Sequence, residues 1–296
     1  MLAYLLQYDS IYRKFGKAVQ AEEGGILIDG KKIVTTNCAG PEEIPWENYG
    51  VDVVVDATGA FTKKVDLTKH LRGTVKKAVL TAPSNDEETP HVVLGVNSDD
   101  FDFAGSSVLS NCSCTTNCAA VLFKVLDDHF KITSGFLTTT HAYTQSQSLL
   151  DDAGKSVERS RAAVLNIIPS TTGAATAVVK TLPHLAGKID ALALRVPTPI
   201  VSFTDISAIV EKPTTTEQLN NIFKQESEER LKGVLGYENE VLVSSDFIGS
   251  PYSAIFDANY TKVINGNFVK VFGWYDNEWG YSTRLVDLVE KLSEYV

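Results

Sequence analysis

Three of the four cysteines, Cys112, Cys114 and Cys118, fall in one short segment, Ser110-Asn-Cys-Ser-Cys-Thr-Thr-Asn-Cys118. The residues before it form an apolar run and those after it have helical spacing, so the segment is predicted to pass from a strand end into a helix. A cysteine at a helix N-terminus feels the positive end of the dipole and the free amide N–H groups of the first turn. Both favour the thiolate and can bring the pKa from about 8.5 towards 7 or below. Cys114, between Ser113 and Thr115, has that position and is the predicted nucleophile. Cys118 lies one turn further in, where burial is expected, and Cys112 sits at the strand end. Two plainer readings compete. Cysteine is often just a small buried hydrophobe. Three cysteines at this spacing could also bind a metal, but they lack the second pair of ligands that structural zinc prefers, and no metal site is predicted.

A thiol needs a base, and Gly135-Phe-Leu-Thr-Thr-Thr-His-Ala-Tyr-Thr144 reads as a strand with His141 near its end. A cysteine–histidine pair on neighbouring elements is the usual way to activate a thiol; a structural histidine is the alternative. Ile168-Pro-Ser-Thr-Thr-Gly-Ala-Ala175 reads as a loop that opens a helix. The free amides of Thr172 and Gly173 suit a phosphate, or the stretch is an ordinary capped helix start. Arg195 lies inside the apolar run Ala193-Leu-Arg-Val-Pro-Thr-Pro199. A charge there is rarely buried unpaired, so a carboxylate or an anionic ligand should meet it.

The elements that hold these residues read as two kinds. Val51–Asp56, Lys77–Thr81, His91–Val96 and Ser107–Ser110 are short apolar runs, predicted as buried strands, with a helix over Asp66–Gly73. This alternation predicts an open α/β sheet. A helix follows over Thr115–Phe130. Beyond it, Ile189–Val196, Val201–Val210 and Phe268–Tyr275 are longer and rich in β-formers, with helices over Thr172–Leu182 and Thr216–Leu231 between them. That half is predicted to be a larger mixed sheet covered by helices. The domain division is placed at residues 1–113 and 114–278. A closing helix over Glu278–Tyr295 is predicted to return to the first unit.

The chain has 296 residues, 44% hydrophobic and 22% charged, the composition of a globular protein. Its net charge of −10 disfavours nonspecific association with nucleic acid or anionic membranes. There is no apolar run long enough to span a bilayer. The apolar start Met1–Asp9 has neither a basic region nor a small-residue cleavage site and is not read as a signal peptide. The clustered cysteines do not suggest a disulfide framework, and a reducing, cytoplasmic setting is predicted.

Taken together, Ser113-Cys-Thr-Thr-Asn-Cys118, Thr139-Thr-His141, Asn166-Ile-Ile-Pro-Ser-Thr-Thr-Gly-Ala-Ala175, Arg195-Val-Pro-Thr-Pro199, Gly233-Val-Leu-Gly-Tyr237 and Trp274-Tyr-Asp-Asn-Glu-Trp-Gly-Tyr281 resemble, in order, the motifs of the phosphorylating glyceraldehyde-3-phosphate dehydrogenases. The resemblance covers nearly the whole chain. It implies a Rossmann-type dinucleotide-binding domain, incomplete here, followed by an α+β catalytic domain. It implies that Cys114 attacks the aldehyde while His141 takes the thiol proton, that hydride passes to NAD or NADP, and that inorganic phosphate releases an acyl phosphate. Ser113, Thr115, Thr172 and Gly173 match the residues that hold the attacking phosphate, and Thr144 and Arg195 those that hold the substrate's own phosphate. Asn277 matches the contact to the nicotinamide carboxamide, with Tyr281 beside it; Thr58, Gly59, Phe61 and Thr81 match the strand ends that line the cofactor. Residues 151–161 match the loop that reaches a neighbouring subunit in the family's homotetramer. Neither nucleic acid nor membrane is an implied partner.

Three departures stand out. Roughly forty residues of the opening strand–turn–helix–strand unit have no counterpart, and no G-x-G-x-x-G occurs. Ala39 stands where the family carries an arginine near the adenine, and Cys112 where a small residue is usual. Erythrose-4-phosphate dehydrogenase, a semialdehyde dehydrogenase and an inactive binding or assembly protein are the competing functions. The intact Ser170–Ala175 pattern argues against the first, the second phosphate site against the second, and cofactor binding would discriminate the third.

Overall fold

A computed structural model describes residues 1–154 and 156–296. The chain opens with helix α1 (Leu2–Gln7), a two-stranded ribbon of β1 (Tyr8–Asp9) and β2 (Arg13–Lys14), and a three-stranded antiparallel meander of β3 (Val19–Glu22), β4 (Gly25–Ile28) and β5 (Lys31–Val34). Then come β6 (Val53–Asp56), α2 (Lys64–Leu67), β7 (Lys77–Leu80) and β8 (Val108–Ser110), and the three strands form a parallel sheet in that order. The predicted open α/β sheet is therefore present with three strands.

His91–Val96 is not a fourth strand. Only a single bridge, His91 to Ser110, joins it to the sheet. Asn97 Oδ1 takes the amide of Val93 and the Val96 amide donates to Val93 O, while Gly95 has φ +79°. The apolar side chains of Val92, Val93 and Val96 are nonetheless buried. Burial of an apolar run was achieved in a turn rather than a ladder, a choice that apolarity alone does not decide. Likewise, the helix predicted over Asp66–Gly73 is one turn of α-helix followed by a 3-10 turn at Thr68–His70.

The second half comprises α3 (Cys114–Phe130), β9 (Ile132–Ala142), β10 (Ile168–Ser170), α4 (Ala174–Thr181), β11 (Ile189–Val196), β12 (Ser202–Val210), α5 (Thr216–Glu228), β13 (Leu235–Glu238), β14 (Ala254–Asp257), β15 (Lys262–Ile264), β16 (Phe268–Tyr275) and α6 (Trp279–Ser293). Its eight strands make one mixed sheet in the order β10-β11-β9-β12-β16-β14-β13, with β15 beside β16. The stretch predicted as a loop before α4 contains β10, whose Ile168 pairs opposite Arg195.

α3 is the spine of this half. Ser113 is its N-cap, in extended conformation, with Oγ accepting from the Thr116 amide; such a cap supplies a partner to an otherwise orphaned N–H. From Thr115 to Leu126 nearly every side chain is buried against the sheet and α4. The helix presses so closely on β16 that a Cβ at Gly273 would lie 2.7 Å from Leu122 Cδ1 and 3.3 Å from Cys118 Sγ. In β9, Leu137, Thr139 and His141 share the buried face, as period-two alternation requires. α6 leaves the catalytic half: Leu288 and Leu292 pack with Val79, Val92, Phe103 and Leu109 of the parallel-sheet unit.

Candidate active site

At the turn from β8 into α3, Cys112 adopts φ +58°, a left-handed conformation uncommon for a residue with a side chain. Its amide donates to Ser110 Oγ and its carbonyl accepts from Tyr281 Oη. The turn sets Ser113 as N-cap and Cys114 as the first helical residue. Because α3 crosses the face of β9 that carries His141, the thiol and the imidazole meet: Cys114 Sγ lies 3.6 Å from His141 Nε2. β9 and β11 run parallel in a register that sets Arg195 opposite His141. Arg195 Nη1 is 2.8 Å from His141 Nδ1 and donates to Ala142 O at 2.9 Å.

These residues line a cleft of about 350 Å³ together with Ser113, Thr115, Thr144, Thr172, Gly173 and Asn277. Every residue predicted for catalysis or phosphate binding is thus in one place. Among the lining residues that the sequence reading missed are Thr139, Arg159, Glu278 and Pro83. Arg159 was hidden in the charged run Glu158-Arg-Ser-Arg161, which is indistinguishable from a solvated loop. Its guanidinium donates to Ser146 Oγ at 3.4 Å and to Ser170 Oγ at 3.2 Å. Two arginines make this cleft locally positive in a chain of net charge −10. Of the loop assigned to a neighbouring subunit, Lys155 lies outside the described residues.

The hydroxyls are partly engaged. Ser113 Oγ is also 2.8 Å from Thr116 Oγ1, Thr115 Oγ1 is 2.9 Å from Tyr275 Oη, Thr172 Oγ1 accepts from the Ala174 amide, and Thr144 Oγ1 is 2.9 Å from Ser146 Oγ. Tyr275, buried beneath the pair, also reaches Thr139 Oγ1 at 2.8 Å and sets its ring edge-on to His141. Nothing in the sequence distinguished it from an ordinary core tyrosine.

The expectation of a thiol shifted towards thiolate does not hold. Burial raises the Cys114 pKa, and the Thr115 hydroxyl and amide and the Arg195 charge offset this only in part. The helix terminus acts over a turn, but desolvation of the anion is the larger effect in a closed site. Burial raises Cys112 and Cys118 as well. His141 is pushed down to about 4, by burial first and then by Arg195. Burial thus acts on both partners in the direction of their neutral forms. Arg195, expected to meet a carboxylate or an anion, meets no carboxylate among the described residues.

The residues predicted to line a cofactor fall in two groups. Asn277 lies in the cleft; its Oδ1 accepts from Ser202 Oγ, which in turn accepts from the Ala142 amide. Its Nδ2 has no partner among the described residues. Tyr281 is tied to the Cys112 carbonyl. Thr58, Gly59, Phe61 and Thr81 stand outside the cleft, near the carboxyl ends of β6 and β7, where open α/β sheets bind ligands. The Thr58 amide and hydroxyl both donate to Asp56 Oδ1, and Gly59 has φ +68°.

A parallel α/β unit whose last strand feeds a cysteine–histidine cleft on a mixed sheet defines a class: dinucleotide-linked enzymes that work through a thiol. Residues 113–277 match the family described as glyceraldehyde 3-phosphate dehydrogenase, C-terminal domain, and residues 1–64 match its NAD binding domain. A glyceraldehyde-3-phosphate dehydrogenase of Streptomyces coelicolor is 48% identical over 97% of this chain and 85% of its own length. One from Mycobacterium avium is 50% identical over the same shares, and glyceraldehyde-3-phosphate dehydrogenase 2 of Bacillus subtilis is 45% identical over 99% and 86%. The chain belongs to the glyceraldehyde-3-phosphate dehydrogenase family.

Proposed function

We propose that this chain oxidises glyceraldehyde 3-phosphate to 1,3-bisphosphoglycerate with NAD and inorganic phosphate, and that Cys114 and His141 perform the chemistry. The observation that carries the reading is the 3.6 Å approach of Cys114 Sγ to His141 Nε2 in a cleft with two guanidinium groups. As Cys114 Sγ adds to the aldehyde carbon, His141 Nε2 takes the thiol proton and a thiohemiacetal forms. The proton on His141 passes to the oxygen of that adduct; NAD, when bound, would supply the hydride acceptor, His141 would take the hydroxyl proton back, and the acyl group would remain on Cys114 as a thioester. Inorganic phosphate attacks that carbonyl, the C–S bond breaks, and the acyl phosphate departs. Ser113, Thr115, Thr172 and Gly173 hold the attacking phosphate. Thr144 and Arg195 hold the substrate's phosphate, and a charge-assisted contact of that kind is the stronger sort of hydrogen bond.

The nicotinamide end of NAD fits the residues present. Asn277 Nδ2 is free to donate to the carboxamide while Oδ1 is held by Ser202. Thr58, Gly59, Phe61 and Thr81 line the remainder, and Tyr281 supports the turn beneath. The glycine-rich turn that receives a pyrophosphate, part of an opening unit of roughly forty residues, is not among residues 1–296, and one edge of β6 has no partner strand among the described residues. Residues 1–113 with α6 form the cofactor unit and 114–278 the catalytic unit. Exposed Phe136, Leu192, Ile209 and Phe268 on the eight-stranded sheet support assembly into a homotetramer, since apolar groups of that number on one face favour association. Four free cysteines fit a reducing, cytoplasmic setting.

The test is formation of NADH from glyceraldehyde 3-phosphate with and without inorganic phosphate. Phosphate-dependent turnover, with an acyl adduct on Cys114 trapped by mass spectrometry when phosphate is withheld, is the expected result. Turnover indifferent to phosphate, or an adduct on Cys112 or Cys118, sinks the reading.

A further inference from the structure

Asn277 is held in the cleft from two sides. Its Oδ1 accepts from Ser202 Oγ at 3.1 Å, and its backbone lies in a tight turn built on the side chain of Asp276. Asp276 is 1% exposed, and four donors meet its two oxygens. Oδ1 takes the amides of Glu278 at 3.0 Å and Trp279 at 2.9 Å, a turn of the kind that aspartate makes with amides just ahead of it in the chain. Oδ2 takes the amide of Gly249 at 2.8 Å. The fourth donor is the Tyr12 hydroxyl, 2.8 Å from Oδ1 and 264 residues away in sequence. A buried carboxylate is tolerated only when donors meet its lone pairs, so Tyr12 is part of what fixes the turn.

Tyr12 comes from the opening ribbon. It stands at the tip of β1 and β2, where Asp9 Oδ1 accepts the amides of Ile11 and Tyr12, both at 2.7 Å, and Arg13 takes φ +71° as the chain turns back. The tip lies on the catalytic half. Ile11 and Tyr12 pack against a buried cluster of Ile200, Val201, Phe247 and Ile255, and the Tyr12 and Trp279 ring centroids are 5.3 Å apart. Val201 immediately precedes Ser202, the other support of Asn277. One ribbon tip therefore braces both supports: Asp276 through a hydroxyl, and Ser202 through apolar packing beside it. Burial first, and then the Asp276 carboxylate, push the Tyr12 pKa up, so Oη keeps its proton and donates.

We propose that Tyr12 is a positioning residue for the nicotinamide end of the cofactor: its hydroxyl, acting through Asp276, sets the Asn277 side chain whose Nδ2 meets the carboxamide. The inference rests on the dehydrogenase reading above, in which Asn277 makes that contact, and adds to it a residue of the ribbon that does not itself line the cleft. Without the hydroxyl, Asp276 keeps three amide donors, so the turn loosens and does not unfold. The effect is confined to one end of the cofactor. A ligand that carries the nicotinamide loses the benefit of a preset Asn277, and a ligand that lacks it loses nothing, because preorganisation strengthens only the contacts that the preset group makes.

The experiment is calorimetric titration of the full chain and of Tyr12→Phe with NAD and with ADP-ribose, which carries the adenine, the pyrophosphate and both riboses but no nicotinamide. Tyr12→Phe deletes one oxygen and keeps the ring on Trp279. The Kd for NAD is expected to rise roughly threefold to tenfold, the loss of one hydrogen bond, while that for ADP-ribose stays within about twofold. The KM for NAD should follow its Kd, and the KM for glyceraldehyde 3-phosphate and the rate of Cys114 alkylation should not move. Equal losses on NAD and ADP-ribose make Tyr12 a residue of the fold alone and overturn the inference, as do an unchanged NAD affinity or a wild type that binds no NAD. Amide exchange of the wild type needs no variant: Gly249, Glu278 and Trp279 are expected to be protected, and exchange at the rate of an open chain would show that Asp276 does not hold the turn. Failure of the dehydrogenase reading is separate: it shows as no phosphate-dependent NADH from the wild type, whatever the affinities for NAD and ADP-ribose do.

Discussion

The eight-stranded sheet and the three-stranded parallel sheet support their sites in different ways. Around the first, α3 lies across β9, β12 and β16, and a single apolar core runs from Val93 to Tyr275. Cys114 and His141 are fixed by that core: the helix start by the Ser113 cap, the histidine by the buried face of β9. Around the parallel sheet the core is smaller and depends on α6, which reaches back from the far end of the chain to place Leu288 and Leu292 against it. Val55 of β6 stays exposed, and Thr58 and Thr81 bond chiefly to Asp56 of their own sheet. The candidate reacting groups thus sit where packing overdetermines their positions, and the residues proposed to line the cofactor sit where it does not.

Breaking the reactive side is expected to have the largest effect. Cys114→Ser should lower turnover by roughly four orders of magnitude or more, the scale of losing a covalent nucleophile. Cys118→Ser, one helical turn away, should cost stability and leave turnover within about threefold, because that thiol is packed in the core. Equal losses in the two variants, measured as NADH formation, would remove the distinction between them. His141→Asn is expected to lower turnover by about two to four orders of magnitude, the usual worth of a positioned base. An unchanged pH profile of Cys114 alkylation in that variant would show that the pair does not act together.

The next effect is on stability. His141 falls from 6.5 to about 4 on folding, so between those values the unfolded chain binds a proton that the folded one refuses. Stability then rises with pH across this window. Relative to His141→Asn, the wild type should be unaffected above pH 6.5 and lose roughly 3 kcal/mol on going down to pH 4. Denaturant midpoints of the two proteins that track each other throughout would mean that the ring is not buried in neutral form. Smaller still, Arg195→Leu should raise KM for glyceraldehyde 3-phosphate by roughly tenfold to a hundredfold, the loss of one charge-assisted contact, without impairing turnover of unphosphorylated glyceraldehyde. Equal impairment of both substrates would make Arg195 a residue of the fold alone.

The two sheets should also differ in amide exchange. Backbone amides of β6 are expected to exchange roughly tenfold or more faster than those of β9 and β12, since local opening is easiest where apolar cover is thin. Protection factors that are equal in both sheets would erase the contrast on which the comparison stands.

Much of this was legible in the order of the residues. The identity of the family follows from short motifs, and the candidate nucleophile, base and phosphate residues are read from the same motifs, because chemistry needs particular side chains and those are written letter by letter. The helix read over Thr115–Phe130 and the long strands of the second half follow from local spacing. Local spacing failed at His91–Val96 and at Ile168–Ser170, where strand or turn was settled by what the backbone could pair with: the side chain of Asn97 in one case, the edge of β11 in the other.

Tertiary structure alone decided the electrical state of the site. A helix N-terminus implies a lowered thiol pKa, a local argument, but the burial that overrides it is the sum of contacts from α3, β9, β11 and β16, which no segment contains by itself. Arg159 entered the cleft from a loop with no distinguishing pattern, Tyr275 came under the pair from more than a hundred residues away, and Arg195 met His141 because two parallel strands share a register. Residue types set which reactions are available to this chain. Distances between elements far apart in sequence set the protonation states from which those reactions start, because desolvation and Coulomb interactions act through space and are blind to chain order.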